Sequence, residues 1–217
     1  MVLLLVAFFY QFCAYGMSFK VDTLSKKDIT VKVADQGSEK IMMVHKNPEV
    51  LIIDVASIYI TSLNKKFIIE YNSGPSADPT FNIKWQSSKK EKVFSIYGTD
   101  LDFRSSGEIY VSGHTNNKFS MKRKFVFKID QLIEVQQPYY YAGIKTTVLL
   151  DIDARLNQDE KSSPAFHLSK GEAVQVILSS KAEEYFLLKN KEGLLGWIQI
   201  PIDQRPTILK DIFLKGD

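Results

Sequence analysis

The regular spacing of strand-forming segments is the feature that most constrains how this chain folds. Between residues 21 and 135, runs rich in Val, Ile, Phe and Tyr recur at roughly 10-residue intervals, separated by turn-forming residues. Several short strands at this spacing predict an all-β protein with an antiparallel β-sandwich over residues 17–137. The predicted strands are Ile29–Val33, Lys40–Val44, Val50–Tyr59, Lys66–Tyr71, Phe81–Trp85, Val93–Tyr97, Glu108–Val111 and Lys118–Ile129.

The last of these segments, Lys118–Ile129, shows the clearest alternation of apolar and polar residues. A strand places alternate side chains on opposite faces, so its apolar residues are expected to face the core and its lysines the solvent. The lysine face has two interpretations: it binds anionic wall polymers or membrane headgroups, or it is a solvated face that discourages edge pairing. The apolar residues are Phe119, Met121, Phe125, Phe127 and Ile129.

The first sixteen residues carry no charge and include the apolar run Val2–Phe9. This length suits the core of a signal peptide, and the small residues Ala14 and Gly16 predict cleavage after Gly16. The protein is therefore expected to be exported, to the periplasm, the envelope or the extracellular space. Two alternatives stay open: the leader is an uncleaved membrane anchor, or Met17 is the true start and the protein is cytoplasmic.

Cys13 is the single cysteine of the chain, and it lies inside this leader. A mature protein cut after Gly16 would have no disulfide and no thiol nucleophile. Lipid modification of Cys13 is an alternative, although the bulky Phe12 stands where lipoprotein leaders carry a small residue. A membrane is therefore an expected partner only if the leader stays attached or Cys13 is lipidated.

The remaining chemistry-bearing residues give no pattern that indicates an enzyme, a metal or a cofactor. The three histidines, His45, His114 and His167, lack the spacing of zinc ligands, and no glycine-rich phosphate loop or Gly-x-Ser-x-Gly motif occurs. The net charge of +3, from 28 basic and 25 acidic residues, gives no bulk attraction to nucleic acid. The sequence predicts no cofactor and no nucleic-acid partner.

A boundary between two units is predicted near Gln136–Gly143, because Pro138 and Gly143 bracket three consecutive tyrosines. The second unit is expected over residues 144–203, followed by a helix or tail over 204–217. The helix interpretation comes from the near-helical spacing of four apolar residues, Ile208, Leu209, Ile212 and Phe213.

Residues 146–200 present a recognisable order of short strands and turns. A strand at Val148–Leu150 leads to a polar loop at Asn157–Pro164, and the turn Ser169–Glu172 precedes the alternating strand Ala173–Leu178. The strands Phe166–Leu168, Tyr185–Leu188 and Leu195–Ile198 complete the series, with a Gly-Trp pair at Gly196 and Trp197. This order resembles a bacterial Src-homology-3 (SH3-like) domain, a small barrel of about five strands, and it covers about 55 of the 217 residues.

The resemblance implies a role in binding a peptide or a cell-wall component. Many proteins with such a domain are wall peptidases with a cysteine nucleophile, and this chain has no cysteine after its leader, so a non-catalytic envelope protein is expected. If the barrel has a groove, its candidate ligand-binding residues are Asp153, Arg155, Phe166, Tyr185 and Trp197. For Trp197 the competing interpretation is structural, with the indole capping one end of the barrel.

Two other functions stay open at this level. The first is a structural or adaptor protein of the envelope that makes protein-protein contacts only. The second is an enzyme in the N-terminal unit whose site is too dispersed to see in one sequence.

Overall fold

The computed structural model describes residues 17–20, 30–33, 39–46, 51–60, 63–73, 79–86, 90–104, 106–201 and 207–215. The predicted leader with Cys13 lies outside these residues. Strands dominate the described part, so the all-β class is confirmed. No helix within these ranges is long and apolar enough to cross a membrane.

Two sheets form the N-terminal unit. The mixed sheet contains, in spatial order, β1 (Met17–Lys20), β2 (Thr30–Val33), β8 (Asp100–Phe103), β9 (Glu108–Ser112), β10 (Arg123–Lys128) and β11 (Gln131–Glu134). The meander sheet contains, in sequence order, β3 (Glu39–Lys46), β4 (Leu51–Ile60), β5 (Lys65–Asn72), β6 (Thr80–Gln86) and β7 (Glu91–Tyr97). The pairing of β2 with β8 is parallel, which the sequence did not predict, and every other pairing in these two sheets is antiparallel.

One hydrophobic core joins the mixed sheet to the meander sheet, as expected for a sandwich. Strands β4 to β11 all contribute to it, and Phe67, Ile69, Phe81, Ile83 and Ile109 are fully buried. In β5 and β6 the buried residues alternate with less buried ones, which is the period-two pattern of the sequence.

The prediction of one continuous strand over Lys118–Ile129 is wrong. The strand β10 covers Arg123–Lys128, and Phe125 and Phe127 pack on the sandwich core as expected. Ile129 instead occupies a two-residue turn between β10 and β11, with a φ of 46° and 98% of its surface exposed. Phe119 and Met121 are instead buried in the core of the C-terminal unit. The first apolar residues of the alternating run therefore pack in one core, and Phe125 and Phe127 pack in the other.

The third sheet forms the C-terminal unit. The C-terminal sheet contains, in spatial order, β12 (Tyr139–Thr147), β15 (Ala173–Ser180), β16 (Tyr185–Lys189), β17 (Leu195–Gln199), β13 (Ile152–Arg155) and β14 (Pro164–Leu168). All of its pairings are antiparallel. It is not closed: β12 and β14 are its two edges, and no pairing among the described strands joins them, so the expected barrel closure is absent.

The core of the C-terminal unit lies on one face of this sheet. Val176, Phe186, Leu188 and Ile198 from three adjacent strands are at most 2% exposed. Gly196 allows close approach there, because a Cβ at this position would lie 2.7 Å from the Cβ of Ala154. The core also draws on Phe119, Met121, Tyr140, Ile208, Leu209 and Ile212, which all lie outside residues 144–203.

The segment over residues 113–122, here called the crossing segment, connects the two cores. Lys118 was expected on a solvated face, but it is only 3% exposed. Its Nζ donates hydrogen bonds to the backbone oxygens of Glu183 at 2.7 Å and of Ile200 at 2.5 Å, which satisfy the buried ammonium. The Glu183 carboxylate accepts a hydrogen bond from the Lys118 backbone N–H at 2.5 Å, and burial raises the pKa of that carboxyl above its ordinary value.

The predicted C-terminal helix is absent from the described residues 207–215. The hydroxyl of Thr207 lies 3.0 Å from the backbone oxygen of Leu209 and 2.7 Å from that of Ile212, and its single hydrogen is shared between these two acceptors, which holds the chain in a turn. Leu209 also forms a β-bridge with Val148, and Lys215 forms one with Asn117 of the crossing segment. Ile208, Leu209 and Ile212 are buried as expected for docking, whereas Phe213 and Leu214 are 46% and 45% exposed. An irregular strap over residues 207–215 presents the buried residues instead of a helix.

Candidate functional site

A cleft of about 330 Å³ opens on the outer face of the C-terminal sheet. It lies over β13, β16 and β17 and beside the loop that connects β13 to β14. We call it the acidic cleft because four of its lining residues carry carboxylates. Its lining residues are Asp151, Ile152, Asp153, Arg155, Asn157, Asp159, Glu160, Tyr185, Trp197, Ile198 and Gln199.

Four of the five residues singled out in the sequence line this cleft. Asp153, Arg155, Tyr185 and Trp197 come from three different strands, and the register pairs Arg155 directly with Trp197. Phe166 lies elsewhere: it is paired with Ala154 in the neighbouring strand and packs against the core. Period-two alternation explains this split, since Asp153 and Arg155 flank Ala154 and therefore point to the opposite face.

Trp197 stands on the outer face of the sheet and is half-buried. It is not among the side chains that form the C-terminal core, so it does not cap that core as the structural interpretation proposed. Its ring contacts that of Tyr139, with centroids 5.7 Å apart and planes at 38°. Tyr139 lies on β12, which is separated from β17 by two strands, so the two rings converge over the face of the sheet.

Three of the four carboxylates of the acidic cleft are held in place by hydrogen bonds. Asp151 accepts the backbone N–H of Lys170 at 2.7 Å, and Asp159 accepts that of Lys161 at 2.9 Å. Asp153 contacts Nδ1 of His167 at 2.8 Å. These bonds use only part of each carboxylate's accepting capacity, because an ionised carboxylate has about four lone-pair sites.

Arg155 supplies the one guanidinium of the cleft lining, and it holds the loop over residues 156–163. Its Nη1 donates to the backbone oxygen of Ser162 at 2.7 Å, and the Ser162 hydroxyl accepts the N–H of Asn157 at 3.0 Å. Four carboxylates and one guanidinium leave the lining with an excess of negative charge. The arrangement therefore favours a cationic ligand group.

Within the described residues, no group of three or more His, Cys, Asp and Glu side chains is placed to hold a metal ion. His114 bonds the backbone oxygen of Phe213 through Nε2 at 2.9 Å, and burial lowers the pKa of its ring. The side chain of His45 lies outside the described residues.

Sequence reasoning missed several residues of the acidic cleft. Asp159 and Glu160 lie in the loop that was recognised as polar, but nothing in the sequence indicated that this loop folds over β17. Gln199 follows Trp197 by two positions and therefore shares its face, a signal that the alternation of β17 contains. Tyr139 was read as part of a domain junction, and its contact with Trp197 depends on the order of strands in the sheet.

Comparisons with known proteins place this chain in no established group. No protein-family model matches it, and no curated protein and no solved structure matches it.

Proposed function

We propose that this chain is a non-catalytic binding protein of the cell envelope, in which the SH3-like unit binds a peptide or cell-wall component that carries a positive charge. The observation that supports the proposal is the acidic cleft, where exposed carboxylates surround a half-buried indole. Carboxylates attract an ammonium or guanidinium group, and the faces of Trp197 and Tyr185 provide stacking and cation-π surfaces.

The strength of such contacts indicates what kind of ligand fits. Each exposed ion pair contributes about 0–1 kcal/mol, and each exposed cation-π contact about 0.5–1 kcal/mol. A single ammonium group in the cleft would therefore gain only a few kcal/mol, which corresponds to a Kd of roughly 1 mM. A polymer that presents many amino groups overcomes this weakness through effective concentration. Peptide-bearing wall material is such a polymer, and a small free amine is a poor candidate.

The test measures binding of the full chain to an oligolysine peptide and to purified sacculi. Tryptophan fluorescence reports the peptide titration, because Trp197 lies in the cleft while Trp85 is 4% exposed in the sandwich core. We expect Trp197→Ala and Asp153→Asn to weaken retention on sacculi about fivefold or more. The matched controls are Tyr97→Ala, an exposed aromatic on β7, and Asp211→Asn, an exposed carboxylate, which should bind like the wild type.

The outcome separates this proposal from its alternatives. Equal binding by the cleft variants and their controls would refute a role for the acidic cleft. Absence of binding to both materials, together with a stable oligomer in size-exclusion chromatography, would support the structural or adaptor protein instead.

A further inference from the structure

A second concavity, of about 220 Å³, lies on the C-terminal sheet at a distance along the strands from the acidic cleft. We call it the lysine cradle because three lysines line it and no acidic residue does. Its lining residues are Lys145, Thr146, Ala173, Val174, Gln175, Lys189, Asn190 and Lys191.

Strand register brings the lysines together. Lys145 on β12 is paired with Gln175 on β15, and Gln175 is paired with Lys189 on β16. Neighbouring strands lie about 4.8 Å apart, so the two lysine Cα atoms are separated by about 10 Å with the Gln175 amide between them. Lys191 follows two residues after Lys189, in the turn that leads to β17.

The three residues paired across these strands point away from the core: Lys145, Gln175 and Lys189. In β16 the buried Leu188 precedes the exposed Lys189, and in β12 the exposed Lys145 precedes the buried Thr146. The floor of the cradle is mainly apolar, and the exposed Ala173 belongs to it, whereas the side chain of Val174 is buried in the core on the other face of the sheet. The cradle thus has cationic walls above an apolar floor.

The charges of the cradle are not neutralised within the described protein. Among the described residues no ion pair involves Lys145 or Lys189, and Lys191 has only a loose contact with Glu192, at 3.6 Å. The Cα atoms of Lys145 and Lys189 are about 10 Å apart, which exceeds the Debye length of about 8 Å at physiological ionic strength, so the repulsion between their ammonium groups is largely screened. An anion between the two lysine side chains would accept hydrogen bonds from both ammonium groups and from the Gln175 amide.

We propose that the lysine cradle is a binding site for an anionic group, a carboxylate or a phosphate, borne by a ligand with an apolar or sugar portion. The apolar floor supplies contact for that portion, and the small volume fits one such group. The site shares no lining residue with the acidic cleft, so it holds whether or not the proposed function is correct.

The experiment titrates the full chain, labelled with ¹⁵N, with inorganic phosphate and in a separate arm with acetate. Ionic strength is held constant with chloride, so that general screening does not change. We expect saturable shifts of the backbone amides of Lys145, Gln175 and Lys189. The arm that gives tighter saturation identifies the phosphate or the carboxylate as the preferred group.

Matched variants separate a specific site from bulk charge. Lys189→Gln should weaken binding about fivefold or more, while the charge-preserving Lys189→Arg should stay within about twofold of the wild type. Lys181→Gln removes the same charge from an exposed position outside the cradle and should also bind like the wild type. Non-saturable shifts in both arms, or equal weakening by Lys181→Gln, would overturn the proposal.

Discussion

The turn between β10 and β11 gives the sharpest test of the structural reasoning. Ile129 and Asp130 form this two-residue turn, and their φ angles are 46° and 60°. Hairpin turns with positive φ at both central residues favour Asn and Gly, and a β-branched residue is disfavoured there. We therefore predict that Ile129→Asn stabilises the protein.

The magnitude follows from conformation and burial. An L-residue in the left-handed region costs about 1–2 kcal/mol, and Asn lowers this because its short polar side chain tolerates the conformation. Ile129 is 98% exposed, so its removal sacrifices almost no buried apolar surface. The neighbouring Asp130 keeps its contacts with Trp85, Lys65 and Lys92. We expect an increase in the free energy of unfolding of about 1 kcal/mol, equivalent to a Tm increase of about 2–4 °C.

The assay is urea unfolding of the full chain followed by tryptophan fluorescence. Trp85 is a suitable reporter because its indole N–H donates to the Asp130 carboxylate at 3.1 Å. The midpoint should rise with an unchanged m-value, which indicates a change in stability alone. The control is Ile133→Asn on β11, where Ile133 is 44% exposed in a regular strand and the substitution should be neutral or destabilising. A midpoint for Ile129→Asn at or below that of the wild type would refute the reasoning.

Two further predictions concern groups near the crossing segment. Lys118→Met should lower the free energy of unfolding by about 2–4 kcal/mol in urea titration, because it leaves two buried carbonyl oxygens without their donor. The control is Lys128→Met at an exposed position, which should change the free energy of unfolding by less than about 0.5 kcal/mol. Equal effects of the two substitutions would contradict this account. Burial lowers the pKa of His114 below 6.5, so the folded state binds protons less readily than the unfolded state and stability falls as the pH drops below that value. His114→Asn should therefore lose less stability than the wild type between about pH 7.5 and pH 5.5 in parallel urea titrations, and an identical loss would argue against a role for this ring.

Much of the strand pattern could be predicted from the sequence, because period-two alternation and turn chemistry are local. The predicted Phe81–Trp85 and Val93–Tyr97 fall within β6 and β7, and Tyr185–Leu188 falls within β16. The strand Asp100–Phe103 was missed because turn-forming residues on both sides left it short. Tyr139–Tyr141 was read as a junction, although these residues begin the long strand β12.

The candidate site was partly predictable for the same local reason. Alternation places Asp153 and Arg155 on one face, but it places Phe166 on the other, and the sequence argument did not apply this test to Phe166. The contribution of Glu160 depends on how a loop folds over another strand, which is a long-range property. The sequence also did not indicate that Phe119 packs in the core of the C-terminal unit. An apolar residue in an alternating run does not show which of two cores it enters.

The crossing segment has a practical consequence for any attempt to study the C-terminal unit by itself. A fragment that begins at the tyrosine-rich boundary would lack Phe119 and Met121, which would leave cavities in its core. It would also lack the ammonium group of Lys118, which would leave the backbone oxygens of Glu183 and Ile200 without this donor. A fragment that begins at about residue 113 and extends to residue 215 would keep these side chains. Because the crossing segment continues directly into β10, unfolding of either unit should destabilise the other, and the two units should unfold in one cooperative transition.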